Sequence, residues 1–485
     1  MNEAPVFSEP EVVREVCRAS FHQFLREFWD VVVPEQLVEN WHIQYLCNVL
    51  QRIAERVIQR LPKEHDLLIN IPPGTTKSTI CSVLFPAWVW TRDPSIRVIS
   101  ASYEHSLALN FSRKSRLVIE DERYQAAFGP IELREDQNTK GFYENTSGGD
   151  RKAVGTQGQV TGSHAHIILV DDPINPKEAL SEAGLLAVNN WMDETLPSRK
   201  VDKALTPTIL IMQRLHQNDP TGNMLEKGKQ RGKVKHICLP ATLDYPVTPP
   251  ALRIRYENGL LDPVRLSVDV LKEQEADLGA LAYAGQYGQQ PVPRGGGMFK
   301  VERFVMDDMP TPGQFVHVVR YWDKAGTKGG GAWTAGVKMG LTKFGKWWVL
   351  DVVRGQWDSG TREQVIVTTA EADGRNVEQS VEQEPGSGGK ESAENTVARL
   401  AGFVCHVHRP TGDKVQRADP YSVQVNQGNV HLPKGASWVA TYVSELLLFP
   451  NGKFKDQVDA SSGCFSVMSS QFRGQLGSLI PRTRR

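Results

Sequence analysis

At 485 residues the chain is long enough for two to three domains, and its 40% hydrophobic and 23% charged content is that of ordinary soluble globular protein. Its 56 basic residues balance 56 acidic ones, which excludes a polycationic nucleic-acid coat and leaves any DNA contact to local patches. Six scattered cysteines with no C-x-x-C exclude a zinc ribbon or disulfide scaffold and suit a reducing compartment. No apolar run nears the ~20 residues of a membrane span, and no signal peptide is expected from Met1-Asn-Glu-Ala-Pro5.

Apolar residues recur at three- and four-residue spacing from residue 10 to 62 (Phe21, Phe24, Leu25, Phe28; Leu46, Val49, Leu50, Ile53, Val57), which predicts a helical N-terminal segment over 1–60. Within it lies Trp41-His-Ile-Gln-Tyr45. The amide of Gln44 offers a donor and an acceptor, a match for an adenine edge.

Leu67–Ile71 reads as a strand. It breaks at Pro72-Pro73-Gly74-Thr75-Thr76, and Lys77-Ser78-Thr79 opens a helical run. Strand, turn, Lys-Ser and helix is the layout of a phosphate-binding loop. Backbone N–H groups receive the phosphates, Lys77 neutralises charge, and the Ser78 hydroxyl ligates Mg²⁺. The usual glycines at the loop start and before the lysine are here Ile71 and Thr76. An ordinary strand–turn–helix with a surface lysine fits this stretch equally well when it is read alone.

Arg97–Ser102 predicts a second strand, and His105–Glu120 a helix whose Arg113, Lys114 and Arg116 could face a phosphate backbone. Residues 129–166 read as glycine-rich and polar. Ile167–Val170 then predicts a buried strand ending in Asp171-Asp172. Carboxylates at a strand's carboxyl edge sit where ligands of parallel sheets bind. Asp171 is placed to hold Mg²⁺ through water, and Asp172 to activate the attacking water. Thr208–Met212 predicts a third strand, leading to Arg214, which could stabilise a γ-phosphate. The pattern over 61–245 is an α/β domain with a parallel-type central sheet. The proline- and glycine-rich stretch 246–300 reads as a connection.

The second half predicts strands over Phe315–Asp323, Ala332–Met339 and Lys346–Arg354, a helix over Thr361–Asp373, and a strand over Asn376–Glu384. That order is RNase H-like, over 301–470. Asp323 ends the first strand, and period two puts Glu382 and Glu384 on one face of the fourth. Asp456 and Asp459 share a face of a following helix. Carboxylates that converge repel one another unless cations join them, and their hard oxygens suit Mg²⁺ or Mn²⁺. Asp323, a glutamate and an aspartate of these pairs form a candidate two-metal site for phosphodiester cleavage, with either member of each pair as ligand. Residues 471–485 form a basic tail.

Taken together, Pro72–Thr79, Thr161–Ile174, Ile209–His216, Tyr283–Pro291, Tyr321–Asp323, Glu382–Gly386 and Lys455–Ala460 resemble the large terminase subunit of tailed bacteriophages, in order and spacing. The resemblance implies an N-terminal additional-strand P-loop ATPase fused to an RNase H-like nuclease. It assigns ATP with Mg²⁺ to Gln44, Pro73–Thr79 and the Asp171-Asp172 pair, with Asp172 as catalytic carboxylate. It assigns two divalent cations to the second carboxylate set, Asp323, Glu382 or Glu384, and Asp456 or Asp459. Double-stranded DNA, the procapsid portal, the small terminase subunit and a ring of copies on the portal are the implied partners, in the host cytoplasm and outside the mature virion. Many members carry an arginine three residues before the loop lysine, where this chain has Gly74. Arg214, or Arg151 acting on a neighbouring subunit, then stand as substitutes. The basic tail is a candidate portal contact. Two other classes remain: a helicase or restriction-type translocase with a nuclease domain, and a non-catalytic assembly factor on a degenerate ATPase fold.

Overall fold

Short apolar runs, punctuated by glycine, proline and charge, build two sheets in the computed structural model. The chain divides into two units, Met1–Pro291 and Val292–Arg485. The structure describes residues 8–478 except 157, 159–161, 232, 293–296, 326–330, 385, 451 and 453, and only the backbone at 137, 230–231 and 471–478. Met1–Pro5, Gln157, Thr161, Pro293, Gly295-Gly296, most of the glycine-rich stretch after Asp323, Pro385, Asn451, Lys453, the Arg473 side chain and Arg482, Arg484 and Arg485 of the basic tail therefore lie outside the described residues. No described helix is long and apolar enough to cross a membrane.

The first unit's strands are β1 (Asp66–Asn70), β2 (Val98–Ser102), β3 (Leu133–Asn138), β4 (Phe142–Asn145), β5 (Asp150–Gly155), β6 (Ile167–Asp171), β7 (Thr208–Met212) and β8 (Val234–Cys238). They lie in the order β3-β4-β5-β2-β6-β7-β1-β8. All neighbours from β5 to β8 are parallel, and β3 and β4 add an antiparallel edge, so the sheet is mixed. Strands β2, β6 and β7 are buried at every position, as expected of strands covered on both faces. Strand β7 stands between the loop strand β1 and the acidic strand β6, which is the additional-strand arrangement. Across β6, β7 and β1 the register runs Asp171, Ile211, Ile69, so the loop and the carboxylates leave the sheet at one edge.

After the loop, the helix begins at Lys77 and passes through a π-helical turn, Thr79–Leu84, before the α-helix Phe85–Arg92. The Phe85 N–H reaches back five residues to the Ile80 carbonyl. The N-terminal region forms separate helices at Glu9–Ala19, Phe21–Glu27, Trp29–Val32 and Trp41–Ile58 rather than one run. Much of the stretch read as a connection packs in the first unit, including the helix Val268–Gln286.

The second unit holds β9 (Val305–Asp307), β10 (Phe315–Asp323), β11 (Thr334–Thr342), β12 (Trp347–Gly355), β13 (Glu378–Glu382), β14 (Cys405–His408) and β15 (Val430–Pro433). The order is β14-β13-β10-β11-β12-β15-β9. Strands β10, β11 and β12 are antiparallel neighbours, and β13 and β14 run parallel to β10. This is the RNase H-like order, extended at one edge by β15 and β9. The helix Asp456–Ser478 lies on β10 and β11. Gly463 permits that approach, since a Cβ there would sit 2.4 Å from the Tyr321 ring. Tyr421 on the helix Lys414–Asn426 hydrogen-bonds Tyr442 at 2.8 Å, and Tyr442 bonds Ser461 at 2.9 Å. These contacts tie three helices together, Lys414–Asn426, Val439–Leu448 and Asp456–Ser478.

Candidate functional sites

In the first unit the phosphate-type loop is held from within and from behind. Thr75 is buried; its hydroxyl donates to the Pro72 carbonyl at 2.7 Å. Its own carbonyl lies 3.2 Å from Nε2 of His42, on the Trp41–Ile58 helix. The other ring nitrogen faces Oδ1 of Asn40, the helix N-cap, at 2.8 Å. Burial pushes the His42 imidazole down to about 4, so the neutral ring has one N–H, which donates to one of these two oxygens according to its tautomer. Gly74 has φ 76° and Thr76 φ 64°. Thr76 therefore takes, at a strain of roughly 1–3 kcal/mol, the left-handed conformation for which this loop position usually has glycine. The missing glycine changes the residue and leaves the turn intact.

Lys77 is buried, with Nζ 3.3 Å from Oδ2 of Asp172. Ser78 donates to one oxygen of Asp171 at 3.1 Å, and Ser82 in the π-turn donates to the other at 2.6 Å. Burial, and then the neighbouring Asp172, raise Asp171 to about 7; Ser82, Lys77 and Ser78 oppose that shift. A buried, crowded carboxyl beside a serine hydroxyl fits a place for a divalent cation, which would supply the missing positive charge. Asp172 follows β6 with φ 42°. Its Oδ1 accepts from the Gln213 N–H at 3.2 Å, and its own N–H donates to the Ile211 carbonyl at 2.8 Å. That turn lifts its carboxylate out of the sheet toward Lys77.

The other expected residues stand elsewhere. Gln44 is exposed on the Trp41–Ile58 helix, and it is His42, two residues earlier, that reaches the loop. Pro73 and Thr79 flank the loop partly buried. Arg214 does follow β7, but its guanidinium is engaged: Nε meets Asp219 at 2.9 and 3.0 Å, and Nη2 meets the carbonyls of His216 and Gln217. Asp219 is fully buried and also accepts from the N–H groups of Leu215, His216 and Gly222. The pair clamps a loop, so the guanidinium expected on a γ-phosphate is engaged elsewhere in this structure. The expected reach of Arg151 to a neighbouring subunit is corrected. Arg151 is buried on β5, donating to the Ser82 carbonyl at 2.5 Å, and cannot reach another subunit from there. Arg113, Lys114 and Arg116 donate within the unit, to Asn110, Val32 and Asn138. Gln213 escaped the sequence reading. It stands at the end of β7 beside Asp172, and its buried Oε1 has no partner among the described residues.

In the second unit, β10 pairs with β13 in a register that matches Trp322 to Val381, which sets Asp323 beside Glu382. Burial, followed by Glu382, Asp459 and Asp456, raises Asp323 well above the usual carboxylate range. Burial also raises Glu382 and Asp456. Asp456 and Asp459 are buried in the first turn of their helix, and Asp456 accepts the Trp333 N–H at 2.9 Å. Glu384 does not join this group. Strand β13 ends at Glu382, the alternation ends with it, and Glu384 is exposed two residues on. Of the two glutamates left open by the sequence, Glu382 is the one at the cluster.

Two cations of the Lys414–Asn426 helix were also missed. Arg417 meets Glu382 at 3.4 Å and Asp459 at 3.1 Å, and Lys414 contacts the other oxygen of Asp459. As the side chains stand, no three acidic, histidine or cysteine groups among the described residues close on one point. Four hard carboxylates with a shared excess of negative charge nevertheless fit divalent cations in donor chemistry.

No family model and no curated protein matches the sequence. The chain is similar to solved large terminases of several phages. That of bacteriophage HK97 is 10% identical, with 94% of this chain and 100% of that one covered at a TM-score of 0.38. That of a thermophilic bacteriophage, in complex with ADP, is 11% identical, covering 86% and 98% at 0.32. The large terminase nuclease from thermophilic phage G20c with bound magnesium is 12% identical, covering 36% and 98% at 0.27. Overlaps at this level leave function to be judged from the residues themselves.

Proposed function

We propose that this chain is an ATP-driven motor that moves double-stranded viral DNA into a procapsid and cuts concatemeric DNA with a two-metal nuclease. The observation that carries the reading is the pairing, in one chain, of two carboxylate sites at strand ends. One faces a Lys-Ser loop across an intervening strand; the other gathers Asp323, Glu382, Asp456 and Asp459.

In the first unit, Lys77 leaves Asp172 to neutralise the transferred phosphate, and the loop N–H groups hold its oxygens. Ser78 and Asp171 would hold Mg²⁺, which would neutralise charge on the phosphates. Asp172 accepts the proton of the attacking water, and Gln213 orients it with its free carbonyl oxygen. In the second unit, Asp323, Glu382, Asp456 and Asp459 would hold two cations, which would supply activation of water and stabilisation of the leaving oxygen. DNA is gripped through its phosphates, as sequence-blind movement requires. Portal, small subunit and a ring of copies complete the assembly, in the host cytoplasm. Two features weigh against the rival classes. The second sheet begins with antiparallel strands, unlike a second parallel helicase core, and Thr76 holds the loop geometry that a degenerate ATPase need not keep.

The test is a crossed pair of variants of the full chain. Lys77→Ala lowers DNA-stimulated ATP hydrolysis by roughly 100-fold or more and spares Mn²⁺-dependent plasmid cleavage. Asp323→Ala abolishes cleavage and spares hydrolysis. Unchanged ATPase in the first variant, or retained cleavage in the second, sinks the corresponding site.

A further inference from the structure

The four carboxylates of the second unit are balanced by two side chains of one helix, and the two are held differently. Arg417 is a bridge. It is mostly buried and spans Glu382 and Asp459, the second of which is itself almost wholly buried. Lys414 stands one turn earlier, at the start of the helix after its N-cap Asp413. Its side chain is 49% exposed and meets Asp459 alone. Asp323 and Asp456 add weaker electrostatic attraction. An ammonium on a four-carbon stem, half in water, can swing away without disturbing the core. A guanidinium tied to two carboxylates cannot do so as readily.

Asp459 also carries a geometric constraint. Its oxygens are both taken, one by Arg417 and one by Lys414. A divalent ion needs at least one of them, and the Lys414 side is the one that opens to solvent.

We propose that Lys414 is a displaceable counter-cation that neutralises Asp459 in the metal-free protein, so that an entering divalent ion must exchange with its ammonium. Arg417 stays in place as the fixed partner. The exchange sets the metal concentration at which the site fills. This inference rests on the reading of the cluster as a metal site.

Mn²⁺ binding to the full chain, followed by electron paramagnetic resonance of the free ion, tests it without any catalytic readout. Lys414→Met keeps the stem and removes the charge, and should tighten Mn²⁺ binding by roughly three- to tenfold. Lys414→Arg should stay near wild type. Lys390→Met, which removes an exposed charge of the same unit, should leave binding unchanged. A second measurement separates exchange from simple support of the fold. In chelator, Lys414→Met should melt lower than wild type, and the gap should close in saturating Mn²⁺, where the lysine no longer serves Asp459. Equal Mn²⁺ affinity in wild type and Lys414→Met, or a melting gap that persists in Mn²⁺, overturns the exchange and leaves the metal site standing. Absence of Mn²⁺ binding in every variant overturns the metal site and the exchange with it.

Discussion

Each unit rests a lysine on a carboxylate, yet the two bury opposite partners. Lys77 is 8% exposed against an Asp172 that is 25% exposed; Lys414 is 49% exposed against an Asp459 at 2%. In the first site the fixed member is the cation, carried by a loop between a buried strand and a helix. Its natural competitor is an anion that draws the lysine off the aspartate. In the second the fixed member is the carboxylate, in the first turn of a packed helix, and its natural competitor is another cation. Under the proposed function, the same ion pair would prepare one site for phosphate and the other for metal, according to which half is anchored.

The largest effect expected from that contrast lies in the second site. Glu382→Gln should lower Mn²⁺-dependent plasmid cleavage on the order of 100-fold, while Glu384→Gln stays within about threefold. The reverse ranking would mean that the strand continues past Glu382 in the working state.

Next comes the clamp at the first site. Removing the acid from a buried ion pair strands its partner, so Asp219→Ala should destabilise the first unit by roughly 3–5 kcal/mol in urea unfolding. Unchanged stability with altered ATP hydrolysis would return Arg214 to the phosphates.

His42 gives a pH signature that belongs to the first unit. Folded, its pKa is about 4; unfolded, it returns to the ordinary value near 6.5. Between these values the unfolded chain binds more protons. The share of stability that His42 contributes is therefore complete above about pH 6.5 and falls as pH drops toward 4, by up to about 3 kcal/mol. Burial lowers His166 and His236 to about 4 as well, so His42→Gln should make that part of the stability curve shallower and leave their share. An undiminished slope in the variant would assign the whole loss to those other histidines.

The smallest effect concerns Thr76. Thr76→Gly removes the side chain from a left-handed position and gives up a hydroxyl bond to the Thr75 carbonyl, so stability should rise by about 1 kcal/mol or less with ATP hydrolysis retained. Marked destabilisation would show that the hydroxyl, rather than the backbone turn, holds the loop.

Sequence patterning made some parts of this molecule legible for a definite reason. Strands β1, β2, β6 and β7 are buried on both faces, so each appears as an apolar run, and the Lys-Ser and Asp-Asp groups follow at their ends. The hairpin order of β10 to β12 and the presence of a helix carrying Asp456 and Asp459 were readable from alternation and spacing. Strands β3 and β4 were hidden because an edge pair of polar residues such as Arg134, Glu135 and Asp136 lacks an apolar signature. Strand β8 mixes Lys235 and His236 into a short run. His42, Gln213, Lys414 and Arg417 were missed for a different reason: each acquires its role from a partner distant in sequence. His42 meets Thr75 and Lys414 meets Asp459, contacts that no local spacing encodes. Glu384 was over-read because period two was carried one step past the end of its strand.

The π-turn at Thr79–Leu84 bears on how the chain tolerates changes in length. Such a turn is an α-turn holding one extra residue. Upstream of it, Ser78 faces Asp171; downstream, Phe85 and Trp88 pack against Phe21. Deleting a single residue between Cys81 and Leu84 would restore a regular helix but rotate everything beyond it by about 100° relative to the loop. Either the serine would leave the aspartate or the aromatic rings would leave their seat. The inserted residue thus acts as a spacer that brings two unrelated faces of one helix into register at once.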